Sequence, residues 1–256
     1  MPRKPKPSSD EPSITDLGAL AAKKNFDTYY NHPYTEEPNV AYFDFRYAKG
    51  NIGDMNIMGS DEPEVALFYW NNDIADMGGG DDVAVGLLGD DTISGGGGND
   101  YLFGDTDRGI TNGGSGDNDI LLGDSGNDVL VGDAPYIMNG AQGGQDTLNG
   151  GTGDDILWGD GILDATASGG ADEFVFAFDS EAGEGSGMDV IQDFRLLDGD
   201  VIKVVGYAGI SSFTDLESSI SDDGIDTTID FGNGNQVVLV DLADHEALTA
   251  DDFVFA

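Results

Sequence analysis

The chain has 256 residues, no cysteine, and 50 acidic against 10 basic side chains, a formal charge of −40. That balance excludes disulfides and thiolate metal sites, and it excludes nucleic acid and anionic membranes as direct partners of the acidic part. Residues 1–75 hold 7 basic and 12 acidic side chains (−5), so 3 basic and 38 acidic (−35) fall to residues 76–256, and no apolar run is long enough for a membrane span.

Residues 1–12 are Pro-rich and charged and read as a disordered tail. They carry no apolar core of a signal peptide, which points to another route if the protein is exported. Ser13-Ile14-Thr15-Asp16 has the form of a capping box with Asp for Glu, and predicts a short helix through Lys24. Residues 13–76 then hold 11 of the chain's 24 aromatics, with strand-like runs at 40–47 and 65–70. Two readings of this region stand open. It is a small aromatic cap over the exposed end of a solenoid, or a surface on which pyranose rings stack.

From residue 77 to 176 a nine-residue unit recurs. It is plainest in Gly95-Gly96-Gly97-Gly98-Asn99-Asp100-Tyr101-Leu102-Phe103, and returns in Gly150-Gly151-Thr152-Gly153-Asp154-Asp155-Ile156-Leu157-Trp158. With Asp for the second Gly it returns again in Gly123-Asp124-Ser125-Gly126-Asn127-Asp128-Val129-Leu130-Val131. Anchored on its aspartate, the series is Asp82, Asp91, Asp100, Asp119, Asp128, Asp146, Asp155 and Asp172, with gaps of 9, 9, 19, 9, 18, 9 and 17. Two residues after each aspartate stands Ala84, Ile93, Leu102, Leu121, Leu130, Leu148, Leu157 or Phe174. A phase set on aspartate alone thus finds an apolar residue every time, so the repeat is real.

Three-residue strands joined by six-residue glycine turns lack the reversals of hairpins. Alternate units instead build two facing parallel sheets, with each inward Leu or Ile stacked on its equivalent about 4.8 Å away. The aspartates then stack as well, and like charges at that spacing repel by roughly 1 kcal/mol per pair in water and several times more near a protein surface. A cation between the coils is required. Calcium suits it, since it takes six to eight oxygens from carboxylates and from carbonyls exposed in tight turns.

The unit resembles the Gly-Gly-x-Gly-x-Asp-x-U-x nonapeptide of the repeats-in-toxin (RTX) family, where U is a large apolar residue. The resemblance implies an all-β fold, a right-handed parallel β-roll holding several calcium ions, with an aromatic N-terminal cap and a C-terminal β cap over residues 177–256. It assigns the ions to Asp82, Gly89 and Asp91, to Gly95, Gly96, Gly97, Gly98 and Asp100, and to Gly114, Gly116 and Asp119. Gly123, Asp124, Ser125, Gly126 and Asp128 follow, then Gly144 and Asp146, then Gly150, Gly151, Thr152, Gly153 and Asp155, and lastly Asp172. The turn before Asp119 is one residue too long. Segments 104–112, 132–142 and 159–168 lack the aspartate-strand signal and are either degenerate coils or loops extruded from the roll.

Beyond residue 176, strands are expected at 189–194 and 198–202, and a hairpin at 227–231 and 237–240 around Gly232-Asn233-Gly234-Asn235. The order Asp189-Val190-Ile191-Gln192-Asp193-Phe194 followed by Asp251-Asp252-Phe253-Val254-Phe255-Ala256 resembles the end of serralysin-type proteases and of the R-modules of alginate epimerases. That resemblance implies a type I secretion signal read by an ABC exporter, an extracellular location, and a surface, matrix or polysaccharide-binding role. Catalysis is not expected. The chain has only His32 and His245, no His-Glu-x-x-His zinc helix, no Gly-x-Ser-x-Gly elbow and no P-loop. A small secreted enzyme acting on polysaccharide from residues 13–76 is the alternative.

Overall fold

A computed structural model describes residues 13–16, 41–44, 54–68, 70–178 and 185–256. The chain is a parallel β-roll, nearly all β, with one short helix among the described residues, Phe213–Leu216. One nine-stranded sheet runs Ser13–Asp16, Met55–Ser60, Ile74–Gly78, Thr92–Gly97, Ile120–Ser125, Thr147–Asn149, Glu173–Ala177, Val201–Val205, Phe253–Phe255. The facing ten-stranded sheet runs Ala41–Asp44, Glu64–Leu67, Val83–Val85, Tyr101–Phe103, Val129–Val131, Ile156–Trp158, Met188–Ile191, then Asn235–Leu239, Thr227–Gly232 and Ile220–Asp222. Up to Val201–Val205 the chain alternates between the two, so each strand of these sheets pairs in parallel with the one a full coil away; Ile220–Asp222, Thr227–Gly232 and Asn235–Leu239 are joined antiparallel.

The register puts the repeat's apolar position in two inward lines. Ile57, Ala75, Ile93, Leu121, Leu148, Phe174 and Ile202 stack in the first sheet. Ala66, Ala84, Leu102, Leu130, Leu157, Ile191 and Leu239 stack in the second. Both lines belong to one buried cluster. All eight apolar residues predicted from the aspartate phase are 0% exposed. The opposite face of the second sheet buries a smaller set, Val65, Leu67, Val83, Val85, Phe103 and Val131.

The rungs run past both edges of the 77–176 segment. Met55–Ser60 and Glu64–Leu67, within the aromatic-rich stretch, are rungs of the two sheets, and Phe68 is fully buried among them. Ser13–Asp16, expected to open a helix, is a strand paired with Met55–Met58. An open sheet edge offers the β-branched pair Ile14 and Thr15 a ladder of hydrogen bonds, which outweighs a weak capping signal. Ala41–Asp44 pairs with Glu64–Leu67, while the remaining aromatics of 26–47 lie outside the described residues. The expected hairpin forms between Thr227–Gly232 and Asn235–Leu239, antiparallel, with a bulge near its turn. At this end the core widens into aromatic contacts, Phe176 with Phe231, Tyr207 with Phe231, and Phe213 with Phe253.

Segments 104–112, 132–142 and 159–168 prove to be coils of a distinct kind. They stack on one another through Ile110 to Ile137 to Leu163 and through Ser115 to Gln142 to Ser168. The coil is 18 residues long from Asp82 to Asp100 and 28 from Asp100 to Asp128. From Gly104 onward the roll therefore gains a third face, whose inner side buries Ala134, Ile137 and Ala141. Among the described residues no helix is long and apolar enough to cross a membrane.

Inward and outward positions of one strand should differ sharply under substitution. Leu130→Ala is expected to cost about 2–5 kcal/mol, whereas Tyr101→Ala, at a position 45% exposed, costs about 1 kcal/mol or less. Urea unfolding at fixed calcium measures both.

Candidate metal centre

Each glycine turn delivers its aspartate inward at the start of a strand, and these aspartates form two columns. In one, the amide of Glu64 donates to Asp82 Oδ1 (2.7 Å), Asp82 to Asp100 (2.7 Å), Asp100 to Asp128 (2.8 Å), Asp128 to Asp155 (2.8 Å) and Asp155 to Asp189 (3.0 Å). In the other, Asp73 donates to Asp91 (2.7 Å), Asp91 to Asp119 (2.7 Å), Asp119 to Asp146 (2.8 Å), Asp146 to Asp172 (2.9 Å) and Asp172 to Asp200 (3.1 Å). Every link runs from the amide of one rung to the carboxylate of the next. The second column closes at Asp200, whose Oδ2 accepts from the Arg195 amide at 2.7 Å.

One carboxylate oxygen is thus used and the other is not. Oδ2 of Asp82, Asp91, Asp100, Asp119, Asp128, Asp146, Asp155, Asp172 and Asp189 is buried with no hydrogen-bond partner. An unmatched buried acceptor costs about 1–3 kcal/mol, more when charged. Summed over these oxygens, the penalty matches or exceeds the roughly 5–15 kcal/mol by which a domain is stable. A positive ligand for them is part of the fold.

The glycines show where it sits. A Cβ added at Gly123 would meet Asp128 Oδ2 and the Gly150 carbonyl, and one at Gly86 would meet Asp91 Oδ2 and the Gly104 carbonyl. One at Gly104 would meet Asp119 Oδ2 and the Gly132 carbonyl, and one at Gly132 would meet Asp146 Oδ2 and the Gly159 carbonyl. Carboxylate and carbonyl of successive rungs therefore face a shared space kept open by a missing side chain. Gly95 and Gly150 stand in the same relation to Asp100 and Asp155. No three acidic or His side chains among the described residues converge on one point. The donor set is mixed carboxylate and backbone carbonyl, the hard-oxygen chemistry of calcium.

The other sequence-assigned residues take distinct places. Gly96, Gly98, Gly126, Gly151 and Gly153 have φ of 94°, 136°, 140°, 96° and 131°, and their backbones stack rung on rung, Gly126 against the Gly98 carbonyl and Gly153 against that of Gly126. The carbonyls of Gly97, Ser125 and Thr152 accept from the amides of Gly80, Gly98 and Gly126 at 2.7, 2.9 and 2.9 Å. Each keeps one lone pair for another partner. Asp124, left-handed at φ 69°, is exposed and accepts from Ser94 Oγ, so its carboxylate lies outside the columns. Gly89 donates to Asp117 Oδ2 at 2.9 Å.

Gly144 stands before Asp146 as Gly98 stands before Asp100, against the Asp117 carbonyl and with Gly170 stacked on its own carbonyl. The glycines that confront Oδ2 of Asp119 and Asp146 are Gly104 and Gly132, while Gly114 and Gly116 lie toward the third face. The inserted face separates each aspartate from the glycine that confronts it. Sequence reasoning also missed Asp73, Asp189 and Asp200, which carry the same aspartate-x-apolar signal with Ala75, Ile191 and Ile202; Asp189 even keeps Gly185 and Gly187 at the second and fourth positions of the unit, and Gly187 stacks on the Gly153 carbonyl. His245 pairs with Asp222 at an exposed turn, far from any column in sequence, and His32 lies outside the described residues.

Burial raises the column carboxylates well above their usual 3.8, Asp91 and Asp172 to about 9, and Asp82, Asp119 and Asp189 to about 8. Desolvation is the largest cause in each, with neighbouring aspartates adding to it.

Fold and site together define a calcium-binding parallel β-roll. Four copies of the RTX calcium-binding nonapeptide repeat match residues 78–110, 113–134 and 141–161, and these repeats bind calcium. Nine solved chains match. One is the extracellular lipase LipA from Serratia marcescens, at 20% identity over 82% of this chain and 41% of that one, TM-score 0.38. The chain spans less than half of that lipase's length. No curated protein matches.

Without calcium, stability should fall as pH rises. Between 3.8, where the unfolded carboxylates titrate, and about 8 to 9, the folded roll holds protons that the unfolded chain has released. Stability from this source is complete below pH 3.8 and is lost as pH passes through that window. Urea midpoints after calcium removal are expected to be higher at pH 5 than at pH 8, and saturating calcium should reverse the order because the ion requires ionised carboxylates.

Proposed function

We propose that this chain is a secreted protein that leaves the cell unfolded and acquires its structure when calcium fills the aspartate columns outside. The observation that carries the reading is the row of buried, unmatched Oδ2 atoms, those from Asp91 to Asp172 each beside a space that a glycine leaves open. A chain carrying −35 over residues 76–256 repels itself until those charges are neutralised. A ligand that binds only the folded form stabilises it by RT ln(1 + [L]/Kd), about 2.7 kcal/mol per site at a hundredfold excess over Kd. Calcium-poor cytoplasm then favours the extended chain that a type I exporter passes, and calcium-rich surroundings favour the roll.

The role outside is a non-catalytic one at a surface or in a matrix, with polysaccharide or cell surfaces as partners. Two features support it. No nucleophile-base pair or zinc-binding helix is written in the sequence, and the C-terminal segment resembles modules that assist binding to alginate.

Circular dichroism is expected to show little strand with chelator and a cooperative gain of strand on titration with calcium. Equal strand content in both conditions would sink the proposal. A glycan array run in calcium, beside turnover assays on the same sugars, tests the role: retention without turnover supports a binding protein, and turnover transfers the function to an enzyme.

A further inference from the structure

The third face carries its own row of buried carboxylates, which the nonapeptide pattern does not include. Asp105, Asp133 and Asp160 follow Gly104, Gly132 and Gly159 at the corner where the chain leaves the second sheet, and are 2%, 0% and 1% exposed. Each uses one oxygen to accept an amide from the far end of its own face. Asp117 donates to Asp105 Oδ2 at 3.2 Å, Gly144 to Asp133 Oδ1 at 2.8 Å, and Gly170 to Asp160 Oδ1 at 2.6 Å. The other oxygens, Asp105 Oδ1, Asp133 Oδ2 and Asp160 Oδ2, are buried and have no partner.

Glycines lie between these carboxylates as well, though they confront mainly the oxygens already in use, with Asp133 Oδ2 the free one among them. A Cβ at Gly116 would meet Asp133 Oδ1 and Asp105 Oδ2, and one at Gly143 would meet Asp160 Oδ1 and Asp133 Oδ2. Neither glycine has a left-handed φ, so it is space and not backbone conformation that excludes a side chain there. The same is true of Gly104, Gly123 and Gly132 in the two principal columns. The row ends as a principal column does, at a satisfied carboxylate: Asp193 accepts from the amides of Gly159, Asp160 and Gly161 at 2.9, 3.1 and 2.8 Å.

We infer that the third face holds an additional column of divalent-cation sites, one between Asp105 and Asp133 beside Gly116 and one between Asp133 and Asp160 beside Gly143. Hard oxygen donors, two carboxylates per space, suit calcium. The inference rests on calcium binding by the roll but not on the ions of the principal columns, and so fails separately from it. The competing arrangement is a pair of carboxyls sharing a proton. Burial and the Asp146 charge push Asp133 up to about 12, which describes that pair when no cation is present.

The test is the number of calcium ions per full-length chain, by isothermal titration and native mass spectrometry at neutral pH. Asp133→Asn borders both spaces and is expected to remove about two ions while strand content in calcium is kept. A folded variant with the wild-type count overturns the inference in favour of the shared proton. Should Asp133→Asn fail to fold in calcium, Gly143→Ala decides, since it alters no ligand and fills one space: loss of about one ion supports the column, and an unchanged count overturns it. Asp128→Asn, in a principal column, is the control. If the unaltered chain takes up no calcium, calcium binding by the roll itself has failed, a result distinct from either.

Discussion

The structure depends on a repulsion that it arranges and leaves to an ion to resolve. Parallel stacking at about 4.8 Å places equivalent residues of every coil in register, which suits Leu on Leu and is costly for Asp on Asp. The roll keeps the aspartates because each does two things at once. Oδ1 ties its rung to the amide before it, and Oδ2 faces a space bounded by the next rung's carbonyl. Apolar burial alone cannot hold this fold, because each nine-residue unit contributes one inward side chain, about 1.5–3 kcal/mol, against the entropy of ordering glycine-rich turns.

The change from a two-faced to a three-faced coil follows from the same economy of contacts. An 18-residue coil closes two strands and two turns around one apolar layer. Adding ten, nine and eight residues after Phe103, Val131 and Trp158, which makes coils of 28, 27 and 26 residues from one of 18, does not disturb that layer, since the extra face stacks on its own copies through Ile110, Ile137 and Leu163. It brings Ala134, Ile137 and Ala141 as a supplementary core.

The repeat was legible because its signal is local. Aspartate and apolar residue stand two apart on one short strand, so the phase found every side chain of the two inward lines from Ala84 to Phe174 and the parallel two-sheet architecture with them. What was not legible is non-local. Ser13–Asp16 is a strand because Met55–Ser60 offers it an edge, some forty residues on, and no property of Ser-Ile-Thr-Asp encodes that. The third face is defined by pairing between segments that share almost no side chains. The dipeptide Gly-Asp gave no guidance, since Asp105, Asp133 and Asp160 point inward in it while Asp124 turns out to solvent.

The links within the two aspartate columns have one sense, amide of the earlier coil to carboxylate of the later. The second column and the third-face row end at Asp200 and Asp193, where the Arg195 amide and the Gly159–Gly161 amides complete the carboxylates, while the first column ends at Asp189 with its Oδ2 unmatched. At this end two of the three stacks are therefore closed without an ion and the third keeps one open acceptor. Zippering has a natural origin at this end, where an aromatic nucleus adjoins the two closed stacks, and each coil laid down presents the acceptors that template its predecessor.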